Sequence, residues 1–291
     1  MKGKVEELSY YSRMCLQCPS RSGPWQARRV FLLAAVAGAA APAALAQVEV
    51  GKASVARNLV PAENVEQAGV QQYGELLAQA KAKGALAGEG HPQLQRLRAV
   101  ATRIIPFTPQ WNERAARWKW EINLIGSKQV NAFCMPGGKI AFFTGILDQL
   151  QLSDDEVAMV MGHEMAHALR EHARARLAKS AGTGAALSIG AQLLGLGQAG
   201  DLAARAGTQL LTLKFSRSDE TDADLVGLEL AARAGYDPQA SVSLWTKMAK
   251  ASKSEGGLGF LSTHPSGPDR IAKLKANVPK VEGLYRAAKR G

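Results

Sequence analysis

Disulfide bonds are excluded from most of this chain, because it has only three cysteines in 291 residues. Cys15 and Cys18 lie ahead of an apolar stretch that we interpret below as a removable leader. Their C-x-x-C would leave with that leader, so we do not expect it to bind metal or to act in redox chemistry. Cys134 is then the sole thiol of the mature chain, and we interpret it as a small buried apolar residue. An exported protein without disulfides depends on its core and on any bound metal.

Long apolar segments are scarce as well. Residues 30–46 form an apolar run that is shorter than the ~20 residues of a typical spanning helix. Two arginines precede this run and Ala-Leu-Ala ends it, which is the pattern of a secretory signal peptide cleaved before Gln47. We therefore predict that residues 1–46 are removed and that the protein is periplasmic. No cysteine follows the run to make it a lipoprotein; an uncleaved membrane anchor is the alternative.

Strong clustering of charge is also missing. The chain has 36 Lys and Arg residues against 25 Asp and Glu, a net charge of +11, but the excess is spread along the sequence. No nucleic-acid-binding motif accompanies it, so we expect no nucleic-acid partner. A distributed positive charge is compatible with peripheral contact with an anionic membrane surface.

Hydrophobic periodicity predicts an α+β fold that is mostly helical. The predicted helices are 64–83, 92–105, 153–179, 219–234, 238–251 and 269–278, and the predicted strands are 118–125, 130–134 and 139–143. Turn residues between the last two strands make them a hairpin. Behind the leader we expect a loose N-terminal arm with one helix, together residues 47–90, and a main domain over residues 91–291.

Two segments of the chain are rich in glycine. Residues 181–200 are apolar and uncharged, but eleven of these twenty positions are Gly or Ala. We favour a pair of buried or crevice-lining helices there; a hairpin that dips into a membrane is the alternative. Residues 252–262 are predicted to be mobile.

The segment His163-Glu164-Met165-Ala166-His167 lies within the predicted helix 153–179. Residues four apart share one face of a helix, so both imidazoles can bind one ion while Glu164 lies beside it. Apolar neighbours indicate a buried helix rather than a solvated face that happens to carry two histidines. The motif predicts a hydrolytic site with one Zn²⁺ per chain, in which His163 and His167 are ligands and Glu164 activates water as general base.

A catalytic zinc site needs a third protein ligand. Metzincins take it from a histidine six residues after the second motif histidine, and Ala173 at that position excludes this class. We interpret His172, five residues past His167, as a solvated side chain on another side of the helix. Gluzincins use a glutamate from a later helix, which Glu220 supplies, and Asp224 one turn on can accept a ring N–H from a ligand histidine. A charged first helical turn without metal is the alternative.

Several further motifs resemble those of one gluzincin family and occur in its order. They are Asn131 to Gly138, the H-E-x-x-H helix, Phe215-Ser216-Arg217, Glu220 with Ala223-Asp224, Ala234 to Pro238, Thr263-His264-Pro265 and Arg270-Ile271. This family includes the HtpX heat-shock proteases, the CAAX prenyl endopeptidases and the periplasmic BepA-type proteases, and the similarity covers residues 94–274. The usual Glu-x-Glu-Ala-Asp is Glu-Thr-Asp-Ala-Asp here. No helical-repeat extension follows, so we expect the partner-binding module of some relatives to be absent.

The resemblance implies a zincin- or minigluzincin-like domain with a small sheet or hairpin edging the active-site cleft. Asn131, Ala132 and Phe133 would form an edge strand to which substrate adds in an extended conformation, which suits unfolded or misfolded envelope proteins. An ordinary core hairpin is the alternative. The resemblance also extends the expected partners to outer-membrane assembly machinery. Three functions compete: a periplasmic endopeptidase, a chaperone or assembly factor with a latent zinc site, and a membrane-integral protease.

His264 is a further candidate, because the His-Pro loop of the resembled family approaches the metal. We expect His264 either to assist catalysis by stabilising the oxyanion or to occupy the fourth zinc position in a latent state. A loop histidine bonded only to backbone is the alternative. His91, before a proline, is interpreted as a loop residue.

Overall fold

The computed structural model describes residues 48–181, 210–211, 213–254, 259–265, 267 and 269–290. The predicted leader lies outside these residues, and so does the Gly/Ala-rich segment 181–200 except for Ala181. Within the described residues, no helix combines the length and the apolar character that crossing a bilayer requires.

The described chain is mostly helical and carries one small sheet, so the predicted α+β fold class is confirmed. The α-helices are α1 (Ala62–Ala82), α2 (Pro92–Ile104), α3 (Thr144–Leu150), α4 (Asp154–Leu169), α5 (His172–Ala181), α6 (Arg217–Arg233), α7 (Ala240–Ser254), α8 (Gly259–Thr263) and α9 (Arg270–Arg290). Short 3₁₀ helices span Val55–Leu59, Ile105–Gln110 and Glu113–Arg117.

The sheet has three strands, β1 (Glu121–Ile125), β2 (Ala132–Met135) and β3 (Lys139–Phe143), in the order β1-β3-β2. β3 pairs parallel to β1 and antiparallel to β2, so the predicted hairpin is present and β2 lies at the edge. Gly137 and Gly138 close the hairpin with φ values of 87° and 78°, a region that glycine enters without a Cβ penalty. The edge position leaves one side of β2 without a strand partner in the described chain.

α4 forms the centre of the core, because every residue from Glu156 to Leu169 is buried. A capping box starts it: the side chain of Ser153 accepts from the Glu156 N–H, and the Glu156 carboxylate accepts from the Ser153 N–H. α6 packs along α4 and begins with a second capping box, formed by Ser216 and Asp219. Both helices are thus fixed at their starts, so the side chains at their contact hold a defined register.

The helix predicted over residues 153–179 is broken, which corrects the prediction. α4 ends at Leu169, α5 begins at His172, and Glu171 between them has a φ of 56°. A left-handed residue other than glycine costs about 1–2 kcal/mol. Ion pairs of the Glu171 carboxylate with Arg57 at 3.2 Å and Arg174 at 2.7 Å help to offset that cost. Because of the break, His172 does not continue around the surface of α4.

Other differences lie at the ends of elements. α9 extends to Arg290 and contains Pro279, whereas the predicted helix ends at residue 278. Proline removes one backbone hydrogen bond, but this part of α9 is exposed, so water can satisfy the freed carbonyl. α7 ends inside segment 252–262, which is predicted to be mobile, and α8 begins inside it. α3 was not predicted because seven residues are too few to show a helical period.

Candidate metal centre and its cleft

α4 places His163, Glu164 and His167 in the core, where each is at most 3% exposed. The i, i+4 spacing brings both imidazoles to one face, and their Nε2 atoms lie 3.2 Å apart. Two ring nitrogens that face each other across such a gap are the arrangement that a shared ion requires.

α6 brings Glu220 to the same point. Its Oε2 atom lies 3.5 Å from Nε2 of His163, and its Oε1 atom lies 3.4 Å from Nε2 of His167. Burial alone would raise the pKa of Glu220, but hydrogen bonds with His163, His167 and His264 outweigh it and hold the pKa far below its usual value. Glu220 is therefore an anionic oxygen ligand next to both histidines.

His264 joins this group from the end of α8. Its N–H donates to the carbonyl of Phe260 at 2.9 Å, and its ring stacks on the Phe260 ring with centroids 4.4 Å apart. The Nδ1 atom lies 3.3 Å from Nε2 of His163 and 3.1 Å from Oε1 of Glu220. The His-Pro loop therefore contacts the cluster directly.

The donor set fits a tetrahedral zinc ion. His163, His167, Glu220 and His264 each offer one ligand atom, and these atoms all lie within 4.8 Å of one another. Ligands about 2.0–2.2 Å from a tetrahedral ion are about 3.3–3.6 Å from each other, and the contacts given above range from 3.1 Å to 3.5 Å. Within the described residues, Oε1 of Glu164 is buried without a hydrogen bond, as expected of an atom that serves an ion or a water. Oε2 of Glu220 lies 3.1 Å from Nη2 of Arg270.

Glu164 lies beside the cluster, with Oε1 3.7 Å from Nε2 of His264. Burial raises the pKa of Glu164, although the nearby His264 and His163 act in the opposite direction. A buried carboxylate with a free oxygen next to a metal-type donor set is suited to accept a proton from a water.

Asp224 and Arg270 support His163 on the Nδ1 side of its ring. Oδ1 of Asp224 lies 3.0 Å from Nδ1 of His163, and Arg270 donates to both carboxylate oxygens of Asp224 at 2.6 Å and 2.7 Å. The Arg270 guanidinium also lies over the ring of Trp245, 3.2 Å from its centroid. Sequence reasoning assigned no role to Arg270, since no spacing rule links α9 to α4.

The interpretation of His172 as a solvated side chain is wrong. His172 is 6% exposed. Its Nδ1 atom lies 3.0 Å from Nδ1 of His167, and its Nε2 atom lies 3.1 Å from Oδ2 of Asp222. The prediction assumed one continuous helix, and the left-handed residue at Glu171 has no signal in the sequence.

A cleft of about 230 Å³ extends from the cluster along β2. Asn131, Ala132 and Phe133 line it together with Glu164 and His167. The rest of its lining is mostly apolar and includes Ala62, Val65, Met135, Phe143, Leu211, Leu213 and Phe215. The Phe260 N–H donates to the carbonyl of Val130 at 3.0 Å, which fastens α8 beside the start of β2. Cys134 also lines the cleft and is half-buried, whereas the sequence predicts a buried residue.

Comparison with known proteins agrees with this geometry. The model of the family described as Peptidase family M48 matches residues 90–278. The chain is similar to the mitochondrial metalloendopeptidase OMA1 of Schizosaccharomyces pombe, with 35% identity over 194 residues that cover 66% of this chain and 55% of that protein. It is also similar to the beta-barrel assembly-enhancing protease of Yersinia pestis (30% over 183 residues, 58% of this chain and 37% of that protein). A third relative is the metalloprotease LoiP of Escherichia coli (29% over 155 residues, 51% of this chain and 59% of that protein).

The similarity spans about half the length of the curated relatives, and in the OMA1 of Arabidopsis thaliana the share is 35%. The matched part includes every residue of the cluster, because His163 through His264 fall inside residues 90–278.

Proposed function

This chain belongs to peptidase family M48, and on that premise we propose that it is a zinc-dependent endopeptidase that hydrolyses unfolded or misfolded proteins of the cell envelope. The observation that carries the proposal is the convergence of His163, His167 and Glu220 at spacings that suit one tetrahedral ion, with Glu164 beside them. These three residues would hold one Zn²⁺ per chain.

When bound, zinc would polarise the scissile carbonyl and lower the pKa of a bound water. The carboxylate of Glu164 would accept a proton from a water and deliver it to the leaving amine. Its position within the core keeps bulk water from competing for the carboxylate. Asp224 accepts the Nδ1 proton of His163, which fixes the ring with Nε2 facing the cluster.

The substrate would bind as an extended strand along β2. The side of β2 that faces away from β3 has no strand partner in the described chain, so backbone groups on that side can pair with a substrate. Asn131, Ala132 and Phe133 line the mostly apolar cleft beside β2. Recognition through backbone pairing needs an unfolded segment and places little demand on its side chains. Unfolded and misfolded chains meet that requirement.

His264 has two proposed roles. Its Nδ1 atom lies in the group of four ligand atoms, which supports a latent state in which His264 occupies the fourth metal position. Its Nε2 atom lies toward Glu164, which supports an alternative role in stabilising the oxyanion once the ring has moved.

The proposed location is the periplasm, reached through the predicted signal peptide at residues 28–46. Relatives named beta-barrel assembly-enhancing protease in Yersinia pestis and Vibrio cholerae support this location, whereas relatives named OMA1 are mitochondrial. The two relatives named beta-barrel assembly-enhancing protease also support a second candidate function, in which the chain assists outer-membrane assembly with a latent zinc site. A mature N-terminus at Gln47 in a periplasmic fraction would support export, and an intact leader in the membrane fraction would contradict it.

A casein degradation assay on zinc-loaded protein tests the proposed activity, with Glu164→Gln as matched control. The wild type should degrade casein, and the variant should keep its fold and its zinc but lose hydrolysis, because glutamine cannot accept the proton. Equal activity in both proteins would contradict the role of Glu164. A cellular assembly function that survives Glu164→Gln would favour the second candidate.

A further inference from the structure

We infer that His172 and Asp222 position the ring of His167 through a chain of hydrogen bonds, an inference that rests on the proposed metal site. Nδ1 of His172 lies 3.0 Å from Nδ1 of His167, and Nε2 of His172 lies 3.1 Å from Oδ2 of Asp222. His172 is 6% exposed, so solvent competes weakly for these contacts. Because His172 acts through a ligand and touches no reacting atom, it is a positioning residue.

One arrangement of protons satisfies both contacts when Nε2 of His167 is a ligand atom. That nitrogen then carries no proton, so the neutral ring of His167 is protonated on Nδ1 and donates to His172. Nδ1 of His172 must accept, which places the proton of that ring on Nε2, where it donates to Asp222. The chain therefore sets the tautomer of both rings and the plane of His167.

Asp222 is itself fixed by Arg170, whose Nε donates to the same Oδ2 atom at 2.6 Å. Arg170 also donates from Nη2 to the carbonyl of Gly51. The N-terminal arm that was predicted to be loose is thus tied down over this region, and residues 49–54 line a groove together with His172 and Asp222. These two contacts of Arg170 hold Asp222, the last member of the chain of hydrogen bonds, in place.

The ring of His163 is held by a similar chain of partners, which has two members instead of three. Asp224 contacts Nδ1 of His163 directly, and Arg270 pairs with Asp224. Asp222 leaves α6 on a different side from Asp224, since residues two apart do not share a helix face. It reaches a ligand histidine only through the ring of His172. Each ligand ring is thus oriented by a carboxylate of α6 that is paired with an arginine.

Outer partners of this kind raise the basicity of a ligand histidine and limit the rotation of its ring, and their loss typically costs about 10–100-fold in metal affinity. We therefore expect His172→Ala to weaken Zn²⁺ binding by about 10–100-fold. His172→Asn should restore part of the affinity, because the side-chain carbonyl of Asn can accept from Nδ1 of His167. Asp222→Asn keeps an acceptor for His172 but removes the charge, so its loss should be smaller.

The test is a zinc titration of the metal-free mature chain in competition with a chromophoric chelator, together with the visible absorption spectrum of the Co²⁺-loaded protein. His91→Ala is the matched control, because His91 is exposed and distant in sequence from the cluster, and its zinc affinity should equal that of the wild type. Circular dichroism of each metal-free variant measures folding separately from binding. A positioning role predicts weaker zinc binding and an altered Co²⁺ spectrum in His172→Ala, with partial recovery of both in His172→Asn.

The inference would be overturned if folded His172→Ala bound zinc with an affinity within about twofold of that of the wild type. Such a change is far smaller than the loss expected when an outer partner of a ligand histidine is removed. Equal losses in the Ala and Asn variants would also overturn it, since packing and not the hydrogen bond would then be the cause. If His172→Ala does not fold, Asp222→Asn provides the test. A zinc affinity and a Co²⁺ spectrum of Asp222→Asn equal to those of the wild type would reject the positioning role. A wild-type chain that binds no zinc would reject the proposed function itself, which is a different result.

Discussion

Gly162 of α4 and Gly227 of α6 are in backbone contact. A Cβ atom on Gly227 would lie 2.6 Å from the backbone nitrogen of His163 and 2.7 Å from the carbonyl carbon of Gly162. Real Cβ atoms do not approach other atoms this closely, and backbone atoms cannot rotate away as side chains do. The two helices that carry the cluster can therefore lie this close only because both positions lack a side chain.

Gly227→Ala should push α6 away from α4 and weaken the metal site without changing any ligand. Glu220 lies about two turns before Gly227 on α6, and His163 follows Gly162 directly on α4. We expect a loss of about 1–3 kcal/mol in the free energy of unfolding, the usual cost of overpacking a core. Urea denaturation and zinc titration measure the two effects. Gly283→Ala in α9 is the matched control, because a Cβ there meets nothing within 4 Å, and unchanged values for Gly227→Ala would contradict the argument.

His264→Ala should change proteolytic activity in a direction that identifies the role of His264. If His264 occupies the fourth metal position in a latent state, its removal frees that position and activity rises. If it stabilises the oxyanion, the loss of one such donor lowers kcat by about 10²–10³-fold. The casein assay separates these outcomes, and unchanged activity would contradict both roles. Phe260→Leu is a second variant for this assay, because the Phe260 ring stacks on the His264 ring and should hold it near the cluster.

The geometry of the cluster could be predicted from the sequence only where a spacing rule applies. His163 and His167 had to share a face because they are four residues apart on one helix. Glu220 could be proposed because a third ligand was required, and a gluzincin takes it from a glutamate of a later helix with an aspartate one turn on, here Asp224. His172 could not be predicted, since its contact depends on a left-handed backbone at Glu171 that ion pairs stabilise.

In the fold as well, local patterns could be predicted from the sequence and tertiary contacts could not. Periodicity placed α1, α2, α6 and α7 within three residues of their observed ends. It could not extend α9 past Pro279, because a proline normally ends a helix and only the exposed position makes it tolerable here. Arg270 contacts Asp224 through the packing of α9 on α6, and no local pattern encodes such a contact.

Metal removal should lower thermal stability, and Glu220→Gln should abolish most of that dependence. Zinc that binds only the folded chain stabilises it by about 2.7 kcal/mol when present at 100 times its Kd. Without a bound cation, three histidines and a carboxylate remain together in the core. We expect chelation to lower the Tm of the wild type clearly and to change that of Glu220→Gln little. Differential scanning calorimetry with and without chelator measures this. An equal shift in both proteins would mean that Glu220 is not a ligand.

Glu156 should make the stability of the chain depend on pH below its usual pKa of 4.5. Burial raises the pKa of Glu156, but this is outweighed by hydrogen bonds from Lys247 at 2.6 Å, the Ser153 N–H at 2.9 Å and Ser243 at 2.7 Å. The pKa in the folded state is therefore lower than in the unfolded state, so the ionised form favours folding. This contribution is complete above the unfolded value and is lost as the pH falls through the folded value.

Glu156→Gln isolates that contribution, because glutamine keeps the shape but cannot ionise. At neutral pH the variant should be less stable than the wild type, and the gap should narrow as the pH falls below 4.5, the usual pKa of this carboxyl group, and then through the lower pKa of the folded state. Urea denaturation at a series of pH values measures the gap. Lys247→Met should show a smaller narrowing, since it removes the cation and leaves the Ser153 and Ser243 donors in place. A gap that stays constant over this range would show that the stabilisation comes from the shape of the capping box and not from the charge on Glu156.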